Sequence, residues 1–131
     1  MQQPLSSVIY LKDPGTAQAL VVSLSEHFGP VSLVGRYEEV RSTVARQHAD
    51  VLVLDLEALD AEAAGLSRAH AVRDLHREFP ALCIVATHRL ADDQVWTEAM
   101  NEGAADVCQP RDEEVVRAVQ RQRAHYAAAA A

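Results

Sequence analysis

The sequence predicts one α/β domain, a doubly wound parallel sheet of five strands covered by helices on both faces, and three observations predict it. Five short apolar runs of strand length recur along the 131 residues, and the stretches between them carry a helical period. The apolar content, 49%, is almost all aliphatic, with only 5% aromatic residues, which suits a sheet of Val, Ile and Leu under helices rich in Ala and Leu. The apolar runs do not alternate with polar residues, so each strand is expected to be buried on both faces, and strict alternation with helices implies right-handed crossovers between parallel strands. The length is that of a single domain able to bury a core without disulfide or metal. We assign residues 1–126 to the domain and 127–131 to an alanine tail, for which a helix, an interdomain linker and an appended end all remain open.

The strands are expected at Ser7–Leu11, Val31–Val34, Val51–Leu54, Cys83–Ala86 and Asp106–Cys108. After the Pro14-Gly15 turn, Leu20, Leu24 and Phe28 recur every four residues, giving a first helix with Thr16 as its N-cap. A second helix spans Glu38 to Gln47 with Val40 and Val44 inward. The segment LEALDAEAAG reads as a long loop, followed by a third helix from about Ala64 to Glu78 with Leu66 and Val72 inward and His76 at its polar edge, stopped by Pro80. The fourth, Asp92 to Glu102, has acids in its first turn and Gly103 just past its end. The fifth, Asp112 to about Tyr126, carries Glu113 and Glu114 early and Arg117, Arg121 and Arg123 late. Both distributions complement the helix macrodipole.

Composition excludes several classes. A net charge of -7 opposes binding to a phosphate backbone, whose affinity comes from clustered Lys and Arg, so no nucleic-acid partner is expected. No apolar run approaches the ~20 residues that span a bilayer, and no basic segment with a secretory apolar stretch opens the chain, so a cytoplasmic protein is expected. Cys83 and Cys108 lie in apolar runs and read as small core residues. The six histidines, His27, His48, His70, His76, His88 and His125, show no metal-ligand spacing. LKDPGTAQ has neither the glycines nor the Lys-Ser/Thr pattern of a phosphate loop. No Ser/His/Asp or Cys/His order stands out at the strand ends, and no enzyme activity is expected.

In doubly wound folds function gathers at the carboxyl ends of the strands. Asp55 ends the third apolar run, Thr87 the fourth, and Asp13 follows Lys12 after the first. A carboxylate at the edge of a central strand is costly to bury without partners. Two readings stay open for it: a functional group, or a loop cap accepting backbone N–H bonds with Thr87 beside it.

The spacing of VIYLKDPGTAQAL, ADVLVLDL, IVATHR and EAMNEGAADVCQP resembles the receiver domain of bacterial two-component response regulators, over nearly the whole chain from Ser7 to Arg121. The resemblance implies a flavodoxin-like sheet of strand order 2-1-3-4-5. It also places Asp55 at the phosphoacceptor position, Thr87 at the switch hydroxyl, and Lys12 and Asp13 at the acidic pair that binds magnesium.

Several positions depart from that pattern. Lys12 stands where a carboxylate is usual, which removes an oxygen ligand from a cation that wants near-octahedral oxygen geometry; only Asp13 and Asp55 would remain for magnesium. At about 4 Å a Lys–Asp attraction is on the order of 4 kcal/mol before desolvation, so the Lys12 ammonium is expected to pair with Asp55 in place of the metal. After the fifth strand the usual lysine is replaced by Gln109, a neutral donor; an alternative register brings Pro110 or Arg111 there, and only Arg111 restores a charge. His88, where a small residue is usual, narrows the entrance, Val107 replaces the aromatic switch residue, and Glu57 adds a negative charge at the rim.

A degenerate receiver follows, a regulatory module that acts by protein contact. The resemblance implies that it touches a partner or a second copy through the fourth helix, fifth strand and fifth helix, where Trp96 reads either as partly buried core or as a contact. The alternatives are a phosphorylatable receiver with Asp55 as phosphoacceptor, served by a histidine kinase in a phosphorelay, and a small-molecule-binding flavodoxin-like domain.

Overall fold

A computed structural model describes residues 4–62 and 67–130. In chain order the elements are β1 (Ser7–Tyr10), α1 (Pro14–His27), β2 (Val31–Val34), α2 (Glu38–Gln47), β3 (Val51–Asp55), α3 (Leu56–Glu62), α4 (Arg68–Glu78), β4 (Cys83–Thr87), α5 (Asp93–Glu102), β5 (Asp106–Cys108) and α6 (Asp112–Ala130). The five strands form one parallel sheet in the order β2-β1-β3-β4-β5.

Period-two geometry sorts the strand residues between two cores. Val8, Tyr10, Leu52, Leu54, Ile84, Ala86 and Val107 point to one face, against buried residues of α2, α3, α4 and α5. Ile9, Val51, Val53, Cys83, Val85 and Cys108 point to the other, against Leu20 and Leu24 of α1 and Val115, Ala118 and Val119 of α6. Both faces are covered, which is why the strands read as unbroken apolar runs.

Three expectations need correction. Asp13, not Thr16, caps α1: its carboxylate accepts the Thr16 N–H at 2.9 Å, because Pro14 takes the first helical position and leaves the preceding residue as the cap. The segment after Asp55 is not all loop. The chain turns directly from β3 into α3, which buries Leu56, Ala58 and Leu59, so there are six helices among the described residues. Ala64 and Leu66, expected in the third helix, lie outside the described residues; α4 is capped by the Ser67 hydroxyl, which accepts the His70 N–H. Finally, His76 is not a polar-edge residue. Its Nδ1 is buried without a hydrogen-bond partner, and its ring packs so closely on Gly103 (φ 117°) that a Cβ there would overlap it.

The fourth and fifth predicted helices are α5 and α6. Asp92 caps α5 by accepting the Val95 N–H at 3.0 Å, and the helix closes on left-handed Gly103. α6 continues through Ala130. Among the described residues no helix is long and apolar enough to cross a membrane.

Candidate functional site

β3 and β4 each run one residue further than the apolar patterns indicate, so Asp55 and Thr87 end the strands as a directly paired couple. Paired residues on parallel strands leave the sheet on the same face, here the α1 and α6 side. Asp55 is 4% exposed. Its Oδ2 accepts the Lys12 N–H at 2.9 Å and its Oδ1 accepts the Glu57 N–H at 3.1 Å. Burial pushes its pKa up against these two bonds, and the Glu57 charge pushes the same way. Thr87 is fully buried; its hydroxyl helps the Asp55 charge only slightly and has no hydrogen-bond partner of its own.

Asp55 forms the floor of a cleft of about 470 Å³, walled by Lys12, Asp13, Thr16, Glu57, Arg89 and Pro110 among others. Of the residues expected here, Asp13 is exposed and its Oδ2 takes both the N–H and the hydroxyl of Thr16, at 2.9 and 2.6 Å, which hold its pKa down. Glu57 is held below the usual carboxylate range chiefly by Arg89. Arg89 donates its backbone N–H to Glu57 at 2.8 Å, its Nε to both carboxylate oxygens at 3.1 and 2.9 Å, and lies with its second guanidinium nitrogen 2.8 Å from Oε2. Gln109 reaches the same loop by donating its Nε2 to the Arg89 carbonyl at 3.0 Å.

The expected Lys12–Asp55 ion pair is absent. The Lys12 backbone N–H, not its ammonium, holds the carboxylate, and the exposed side chain has no carboxylate within 4.0 Å among the described residues. The cause is the bend at Lys12, two residues past the end of β1, where the N–H turns in while the side chain turns out to solvent. His88 does not narrow the cleft either. Its Nδ1 accepts the Leu90 N–H at 2.9 Å, which turns the ring into its own loop. Arg111 lies in a neighbouring depression and pairs with Glu114 at 3.9 Å, so it supplies no charge to Asp55. Trp96, open to two readings, is 46% exposed.

Arg89 is the residue that sequence reasoning passed over. Its signal was present: Glu57 lies two residues beyond Asp55 and Arg89 two beyond Thr87, equal offsets from a paired couple, with opposite charges. The donor set does not fit magnesium. Asp13 is committed to Thr16 and Glu57 to Arg89, which leaves Asp55, with one backbone amide on each oxygen, as the one carboxylate of the cleft with acceptor capacity to spare; among the described residues no three His, Cys, Asp or Glu are grouped to hold a metal ion.

No family model matches the sequence, and no curated protein is a significant relative. Solved structures do match. A CheY-like protein (TadZ) from Pseudomonas aeruginosa is 27% identical with a TM-score of 0.69, over 89% of this chain and 98% of that one. The signal receiver domain of a DNA-binding response regulator (MerR) from Colwellia psychrerythraea is 14% identical with a TM-score of 0.76, over 92% and 98%. A response regulator from Thermotoga maritima is 16% identical with a TM-score of 0.72, over 91% and 99%. The shared sheet order and coverage show that this chain has the receiver-domain fold.

Proposed function

We propose that this receiver-fold chain is a signalling module that works by protein contact, without catalysis and without a magnesium-dependent phosphoacceptor. One observation carries the reading: Glu57, Arg89 and Gln109 tie the ends of three strands together with the protein's own groups, at the rim of the cleft where a cation and a phosphoryl group would need free donors and acceptors. With loops already tied, the surface beyond them is a fixed one. α5 is fixed as well, because Arg68 of α4 bonds Glu98 at 3.0 Å and Arg73 forks onto Glu102 at 2.6 and 3.0 Å. Leu90, 71% exposed, and Trp96 offer apolar contact beside this block, so the partner, a protein or a second copy, meets α5, β5 and α6. The acidic chain, with no spanning helix among the described residues, would act in the cytoplasm and away from nucleic acid.

The second reading, phosphorylation of Asp55 by a histidine kinase, draws support from the register of Asp55 and Thr87 and from the free Thr87 hydroxyl. Acetyl phosphate with magnesium, followed by intact-protein mass, separates the two. No added phosphoryl group is expected. Stoichiometric addition that disappears in Asp55→Asn would establish the second reading instead.

A further inference from the structure

We infer that the cleft over Asp55 receives one guanidinium or ammonium group carried by a side chain of a protein partner, with the Asp55 carboxylate as its counter-charge. The inference rests on the reading above, that metal and phosphoryl groups do not use this cleft. Asp55 is 4% exposed, yet no cation among the described residues lies within ion-pairing distance of it, and its two oxygens hold one neutral amide each and a weak contact from the Thr87 hydroxyl. A buried carboxylate in that state is incompletely compensated, because taking a charge from water is repaid only by a close opposite charge with further hydrogen bonds.

Thr87 points to a ligand independently. Its hydroxyl is fully buried beside Asp55 on the same face of the sheet and interacts only weakly with that carboxylate, making no full hydrogen bond within the protein, so an oxygen lone pair is left over. The charges around the cleft set the valence. Arg89 and Glu57 satisfy each other, Asp13 is held by the cap of α1, and Lys12 offsets it at the rim, which leaves one negative charge, on Asp55. One monocation matches that; a divalent ion does not. About 470 Å³ is far more than a bare ion needs and admits a side-chain stem, for which Leu11, Pro14 and Pro110 provide apolar wall. The net charge of -7 also favours the approach of a basic partner.

The test is an amide-shift titration of the whole chain with a short blocked peptide carrying a single arginine among Gly and Ser. Saturable shifts are expected at the Lys12 and Glu57 amides, the two that bind Asp55. The same peptide with citrulline for arginine should bind at least about tenfold more weakly, since it keeps the shape and hydrogen bonds but loses the charge. Asp55→Asn should weaken arginine-peptide binding by a similar factor, and Lys12→Ala should strengthen it. Equal binding of the citrulline peptide, or no shift at those two amides, would overturn the proposal even if Asp55→Asn folds poorly. Propylguanidinium that binds as tightly as the peptide would overturn the protein source, and magnesium that saturates the same amides and displaces the peptide would overturn the valence argument. No phosphodonor is present, so failure here leaves the acetyl phosphate result to decide the phosphoacceptor question by itself.

Discussion

The seam between α4 and α5 and the cleft over Asp55 use the same residue types to opposite ends. In the seam the acids that face α4 are matched: Glu102 receives the Arg73 fork and Glu98 receives Arg68. In the cleft the outer acids are matched in the same way, Glu57 by Arg89 and Asp13 by the Thr16 donors, but the innermost acid is not. Glu102, Glu57 and Asp13 have lowered pKa values and Asp55 a raised one. Among these acids the one that is buried without an opposite charge is the one that can answer to something outside the chain.

The largest expected effect lies in the seam. Gly103→Ala adds a methyl where the His76 ring already sits and forces an alanine to φ near 117°, so it should cost about 2–4 kcal/mol in equilibrium denaturant unfolding. A cost below about 1 kcal/mol would mean that the seam is looser than the ring contact implies. At the cleft rim, Glu57→Gln replaces charge-assisted bonds to an exposed guanidinium by neutral ones. A loss of about 1 kcal/mol is expected, with weaker hydrogen-exchange protection confined to the loops at Glu57 and Arg89.

The pH dependence separates the inner acid from the outer ones by sign. The folded pKa of Asp55 is raised, so its contribution to stability is present at low pH and is lost as pH rises through that pKa. Glu57 is depressed, so its contribution is present at higher pH and is lost as pH falls through its folded pKa. Between about pH 4 and about pH 7 the stability difference between Asp55→Asn and the parent should move toward the variant, and that between Glu57→Gln and the parent should move toward the parent. A shared direction would erase the distinction between the two carboxylates. The smallest effect concerns Lys12. With its ammonium in solvent, Lys12→Ala and Asp55→Asn should add to within about 0.5 kcal/mol in a double-mutant cycle, and a larger coupling would place the ammonium back on Asp55.

Much of the fold was legible because its signals are local. Val40 and Val44 at helical spacing, Gly103 after an acidic-capped helix, and unbroken runs such as VLVL each report their own surroundings. α3 was not legible. Leu56, Ala58 and Leu59 are too few in seven residues to show a helical period, and it is their packing under the sheet that makes the segment helical. His76 was misplaced for a related reason, since what buries it is a glycine 27 residues further along the chain.

At the site the division is sharper. Sequence alone determined which side chains end the strands: Asp55 after VLVL, Thr87 after IVA, with Lys12 where the resembling family usually has a carboxylate and neutral Gln109 where it usually has a lysine. It determined these because strand length and hydrophobic runs fix where backbone reaches the sheet edge. Only the tertiary structure decided who meets whom there. Lys12 turned outward because the strand ended one residue earlier, and Arg89 turned onto Glu57 because two paired strands released their loops in register. A side chain's partner depends on the last few degrees of the backbone that carries it, and those are set by the packing of β3 against β4 and of both helical layers against the sheet, not by the residues at the site.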